Sequence, residues 1–150
     1  VSANKGFTLR GVKSGQVTVN PAKALPATAT GTLFTVVGTI SASLVGVVST
    51  ALGATATKPS LGITGNNTAL AAQTAASVAS AAAGSVFQMP SALGGALPAP
   101  VAAQGSAAGE AMFVVSDTNI TMTTDATDTG NITWVLTWVP LSPGASVTAV

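Results

Sequence analysis

The sequence predicts an all-β fold, a β-sandwich or jelly-roll-like single domain preceded by an extended N-terminal arm. Three observations carry that expectation. The run Asn131–Leu141 alternates strictly, so Ile132, Trp134, Leu136 and Trp138 share one wholly apolar face. Thr133, Val135, Thr137 and Val139 take the other face, and β-branched residues suit a pleated sheet better than a helix. Finally, short runs of Val, Thr and Ile recur between clusters rich in Gly, Pro, Asn, Asp and Ser, the punctuation of a many-stranded domain.

Taken in order, residues 1–30 form the arm and 31–150 the domain, with a low-complexity insert at about 84–110. Phe7-Thr8-Leu9 and Gln16-Val17-Thr18-Val19 alternate like short strands around a turn at Lys13-Ser14-Gly15. Pro21 to Pro26 reads as an extended linker. Gly31–Gly38 is a strand closed by glycine, and Ser41–Lys58 is a second, long β-type run that Pro59 stops. Gly46 and Gly53 mark bulges or close backbone contacts within it. Leu61–Thr68 is turn-rich and reads as a hairpin tip. Propensity makes the alanine-rich stretch Leu70–Ser85 a short helix ended near Gly84, while its Ser and Thr content leaves an extended segment as the alternative. Met89–Gly109 is rich in Ala, Gly and Pro, and an ordered conformation there calls for something to hold it, a neighbouring chain first of all. Ala111–Thr124 returns to β-pattern. With the turn Asp125–Gly130 it makes 111–139 an antiparallel hairpin in the simplest arrangement. Pro140 ends the tryptophan strand, Ser142-Pro143-Gly144 turns the chain, and Ala145–Val150 is an apolar tail suited to pairing with a sheet edge.

Charge is the main compositional signal. Charged residues make up 6% of the 150 residues, against roughly 25% in an ordinary soluble domain. Mean hydropathy is +0.59, and a formal net charge of +1 does little to keep copies apart. Burial of this surface against other chains is the natural resolution, and an obligate oligomer or a component of a larger assembly is expected. The few charges are segregated. Lys5, Arg10, Lys13 and Lys23 lie in the first 23 residues, whereas Glu110, Asp117, Asp125 and Asp128 all follow residue 109. Such asymmetry suits a basic arm laid on an acidic partner, or simply solvated loops.

The inventory for chemistry is thin. Neither His nor Cys is present, which removes the usual nucleophile–base pairs, thiolate metal sites and disulfides. Asp125, Thr127, Thr129 and Gly130 imitate the opening of a calcium loop, but its twelfth position is Leu136, where a bidentate Glu is needed, so a plain turn is expected. Lys13-Ser14 lacks the earlier glycine of a phosphate loop. Phe7 among Lys5, Arg10 and Lys13 is a poor nucleic-acid platform. Asn66, Asn119 and Asn131 each open an Asn-x-Thr triplet, a pattern expected by chance in a threonine-rich chain. No enzyme activity, cofactor, metal, nucleic acid or small-molecule substrate is expected. Residues 33–54 carry no charge and are long enough for a membrane helix, the basis of a rival reading as a small membrane protein. Frequent Ser, Thr and β-branched residues, and the lack of an aromatic belt, weigh against it.

Gly31-Thr-Leu-Phe-Thr-Val-Val-Gly38, Val45–Lys58, Met112-Phe-Val-Val115 and Gly130–Val147 together resemble a group of small structural proteins of tailed bacteriophages. In that group a Thr-Leu-Phe-Thr-Val-x-Gly opening is followed by Gly-x-Val-Thr-Thr-Ala and closed by Val-x-Trp-x-Leu-x-Tyr-x-Pro-Leu; Trp138 stands here at the tyrosine position. The resemblance covers roughly residues 30–78 and 111–147 and rests on β-packing patterns. It implies a virion component on the capsid exterior, a decoration protein that is often a homotrimer and binds between subunits of the major capsid protein. Within that expectation Phe34, Ile132, Trp134, Leu136 and Trp138 serve core or oligomer packing, and Lys5, Arg10, Lys13 and Lys23 form a capsid-contact arm. A tail- or fibre-associated receptor-binding module is the alternative.

Overall fold

The computed structural model describes residues 15–102 and 111–150, and the fold is an all-β, sandwich-like domain with no helix among them. Its strands are β1 (Gln16–Ala24), β2 (Thr30–Thr50), β3 (Ser60–Ile63), β4 (Asn66–Ala71), β5 (Val86–Gln88), β6 (Phe113–Thr123), β7 (Asn131–Pro140) and β8 (Ser146–Ala149). All pair antiparallel, in the order β1-β7-β2-β6-β3-β4, with β5 and β8 also on β2.

β2 organises the whole. Its first half pairs with β6 on one edge and with β8 on the other, so Phe34 faces both Ile120 and Ala149. Its second half pairs with β7 and, on the opposite edge, with β5, so Val45 faces both Val135 and Gln88. The two runs expected on either side of Gly38 are therefore one strand of 21 residues. Straight, it would measure roughly 66 Å. Yet Thr30 pairs with Thr123 and Thr50 with Asn131, and the connector between those partners reaches about 29 Å at most. The strand must bend sharply, and the register shift between Val36 and Thr39 marks the place. There Gly38 adopts φ 72°, in the left-handed region that glycine tolerates best. Its N–H donates to Asp117 Oδ1 at 2.8 Å, and Asp117 itself has φ 46°. The bend lays β8-β2-β6-β3-β4 against β1-β7-β2-β5, two layers that share one strand.

This topology corrects the expected 111–139 hairpin. β6 and β7 are not neighbours, because β2 lies between them. Alternation identifies a strand but not its partner, and 124–130 arches from one layer to the other. The arch is tied down where Lys58 N donates to Asp125 Oδ1 at 2.7 Å and Gly53 N to Thr129 O at 3.1 Å.

The helix expected over Leu70–Ser85 does not form. Its amides find carbonyls on the neighbouring 53–59 segment: Thr74 N donates to Pro59 O, Val78 N to Thr57 O and Ser80 N to Gly53 O. Tertiary bonds thus override alanine's helix propensity. Residues 86–102 likewise need no second chain to hold them. Phe87, Met89 and Leu97 are buried in the protein's own core, and Leu97 N donates to Ala72 O. The 21–26 linker is in part strand, since β1 runs to Ala24 with a bulge at Pro21-Ala22, where a proline without an N–H is tolerated. A membrane helix over 33–54 is likewise ruled out, because 30–50 is strand; among the described residues no helix is long and apolar enough to cross a membrane.

One contiguous core fills the space between the layers, and Phe34, Ile132, Trp134, Leu136 and Trp138 all lie in it. The alternating face of 131–140 points inward as expected. Gly46 pairs with Trp134 on one side and Phe87 on the other, and the two rings lie 6.0 Å apart across it. A Cβ on Gly46 would stand 2.7 Å from the Trp134 ring, so the indole packs where a side chain is missing. Gly46→Val is therefore expected to lower stability by about 1–3 kcal/mol in urea denaturation. Gly31→Ala, whose new methyl meets only Pro26 at 3.5 Å, should change it by less than about 0.5 kcal/mol.

Candidate functional site

The feature that sets this domain apart is the inverted orientation of β1. By alternation alone, a Gln-Val-Thr-Val strand on a sheet edge would turn its valines to the core. Here Gln16, Thr18 and Asn20 lie on the inner side, while Val17 and Val19 are 61% and 46% exposed. The inner polar groups have work that valine cannot do. Trp138 Nε1 donates to Thr18 Oγ1 at 3.0 Å. Asn20, buried, uses both protons of its amide: Nδ2 donates to Leu33 O at 2.7 Å and to Val150 O at 3.0 Å. A one-residue slip would bury the valines and break three hydrogen bonds, leaving the Trp138 indole N–H without an acceptor and taking one donor each from the Leu33 and Val150 carbonyls. Each such loss costs about 1–3 kcal/mol, comparable to what burying one valine returns. The polar register wins.

Outside β1 the same surface continues without a break in register. Val19 stands beside Val135, and Val135 beside Val45; Val139 stands beside Ser41, and Ser41 beside Val114. Along these rows the face consists of valines and one serine, with no charged side chain.

Lys23 is half-buried, and its Nζ donates to Val150 O at 2.7 Å, so this arm residue is engaged by its own chain. Lys5, Arg10 and Lys13 lie outside the described residues. The five aromatic and aliphatic packing residues are interior and do not reach the surface, which places any contact between chains elsewhere. Val17 and Val19 were not singled out by sequence, because only the partners of Thr18 and Asn20 reveal which way the strand faces.

Other candidate chemistry is tied up locally. Asp125 Oδ1 accepts from Lys58 N, and Asp128 Oδ1 from the next residue's N–H at 2.8 Å, so the two carboxylates brace the arch. Among the described residues no group of three or more His, Cys, Asp or Glu is gathered as metal ligands would be. A shallow groove of about 320 Å³ is lined by Thr35, Val37, Thr64, Asp117 and Asn119. Its carboxylate is occupied by the Gly38 N–H, and its Thr64 and Asn119 backbones bond each other through Thr64 N and Asn119 O.

No family model, curated protein or solved structure matches this chain.

Removing the Asn20 amide tests what pins β1. Asn20→Ala takes one of two donors from each of the Leu33 and Val150 carbonyls, and the loss of both hydrogen bonds is expected to lower stability by about 1–3 kcal/mol in chemical denaturation. Amide exchange should quicken in 16–20 more than in the interior strand β7.

Proposed function

We propose that this protein is a non-enzymatic virion structural protein, a decoration protein that binds between major capsid protein subunits on the head exterior. The observation that carries the reading is the charge-poor surface, with valines turned outward on a strand whose register is fixed from inside. An all-β scaffold of this kind supplies area, not chemistry. The absence of His and Cys from the sequence and the local role of Asp125 and Asp128 fit the same reading. The resemblance of roughly residues 30–78 and 111–147 to small structural proteins of tailed bacteriophages supports placement on a virion.

In this role the chain assembles as a homotrimer and takes part in no nucleic-acid, membrane or small-molecule binding. Binding at the seams of assembled heads, but not to dissociated subunits, stabilises the assembled state by linkage. The basic residues Lys5, Arg10 and Lys13 supply attraction to an acidic lattice, which weakens as salt screens it.

Electron microscopy of particles made with and without the protein tests the reading. Extra density on the outer capsid surface, and heads that release their contents at lower temperature when the protein is missing, are expected. Density confined to the tail would replace it with the tail- or fibre-module reading. Particles of identical appearance and heat resistance would reject both.

A further inference from the structure

We infer that the outward face shared by β1, β7 and the second half of β2 is the contact between neighbouring copies of this chain. This rests on the self-association in the proposed function and not on its capsid partner. The first reason is the inverted strand. Val17 and Val19 are held outward by hydrogen bonds on the opposite face, an arrangement that leaves two large apolar side chains in water unless something covers them.

The second reason is what the face lacks. From Val19 through Val135 to Val45, and from Val139 through Ser41 to Val114, no charged side chain interrupts it. A foreign partner of defined charge would find nothing to read there. A second copy of the same face brings no unpaired charge into the contact and buries none.

Third, the area is sufficient. With strands spaced at ~4.8 Å, four across once β5 and the start of β6 are added beside β2, and about nine residues of ~3.3 Å along, the face measures roughly 500–600 Å². Two such faces bury roughly 1,000–1,200 Å², the lower bound for a specific interface.

The two borders of the face are also the most exposed apolar points on it. Val17 lies on the β1 side at 61% exposure, and Val114 on the β6 side at 63%, with Met112 equally exposed two residues earlier. The edge of β1 adds a further opportunity. Pro21 sits in the bulge and Lys23 beyond it, so residues 16–20 themselves carry no proline and no charged side chain to block strand pairing.

Light scattering coupled to size exclusion tests the assignment with the full chain at micromolar concentration. The wild type should run at a multiple of 14.4 kDa, and the Val17→Lys/Val19→Lys double variant as a monomer with an unchanged circular dichroism spectrum. Should that variant lose its β-spectrum, Val114→Lys on the opposite border decides, and it too should be monomeric. A monomeric wild type overturns the inference, and so does a folded lysine variant that keeps the wild-type mass. Either result is separable from the capsid reading. An oligomer that persists in the lysine variants refutes this face while leaving the particle images to judge the virion role. An oligomer that the lysines dissolve, but that is missing from heads, refutes the virion role alone.

Discussion

The bend of β2 at Gly38 is the constraint on which the rest of the molecule depends. A strand with neighbours on both edges in each of its halves commits four other strands to fixed positions. Because the connector 124–130 is too short to span a straight β2, the bend is compulsory once β6 and β7 have both paired with β2. The left-handed glycine, the Asp117 carboxylate on its N–H and the Ser142 hydroxyl on Thr39 N at 2.8 Å meet at that corner. Two layers, one core and the arch all follow.

Within the core the same strand makes room for the largest side chain. Gly46 is flanked by Trp134 and Phe87, and its missing side chain leaves the room that the indole ring occupies. Trp138, the second indole, is handled differently, by a hydrogen bond to Thr18 on the edge strand. That bond, made within the layer, and the Asn20 amide, which reaches across to Leu33 and Val150, decide which side of β1 meets water. The outward valines are thus a consequence of interior polar chemistry. In the proposed assembly they become useful, since an apolar face held rigid from behind associates without first having to order itself.

Much of the fold was legible in the sequence, and the parts that were not have identifiable causes. The alternation of 131–139 correctly separated inner from outer side chains, and Gly46 and Gly53 were recognisable as close-approach positions. Gly65 at the β3–β4 turn and the pairing of the 146–149 tail with a sheet edge were also foreseeable from local pattern. Long-range pairing was not. Nothing in 111–139 announces that a strand from residues 30–50 inserts between its two halves, because adjacency in sequence favours a hairpin and only three-dimensional closure excludes it. The alanine-rich 70–85 segment misled for a related reason: its amides are satisfied by 53–59, far away in sequence. At the candidate surface, the apolar character of Val17 and Val19 was visible, but their direction was not. That direction depends on Trp138 and on Leu33 and Val150 carbonyls that no local pattern connects to residues 16–20.

If one bent strand holds both layers together, the layers cannot come apart separately. Native-state hydrogen exchange across β2 measures this directly. Amides in 32–36 and in 42–48 are expected to exchange through a single opening, with the same free energy as global unfolding. A first half that exchanges through its own, lower-energy opening while the second half stays protected would contradict it.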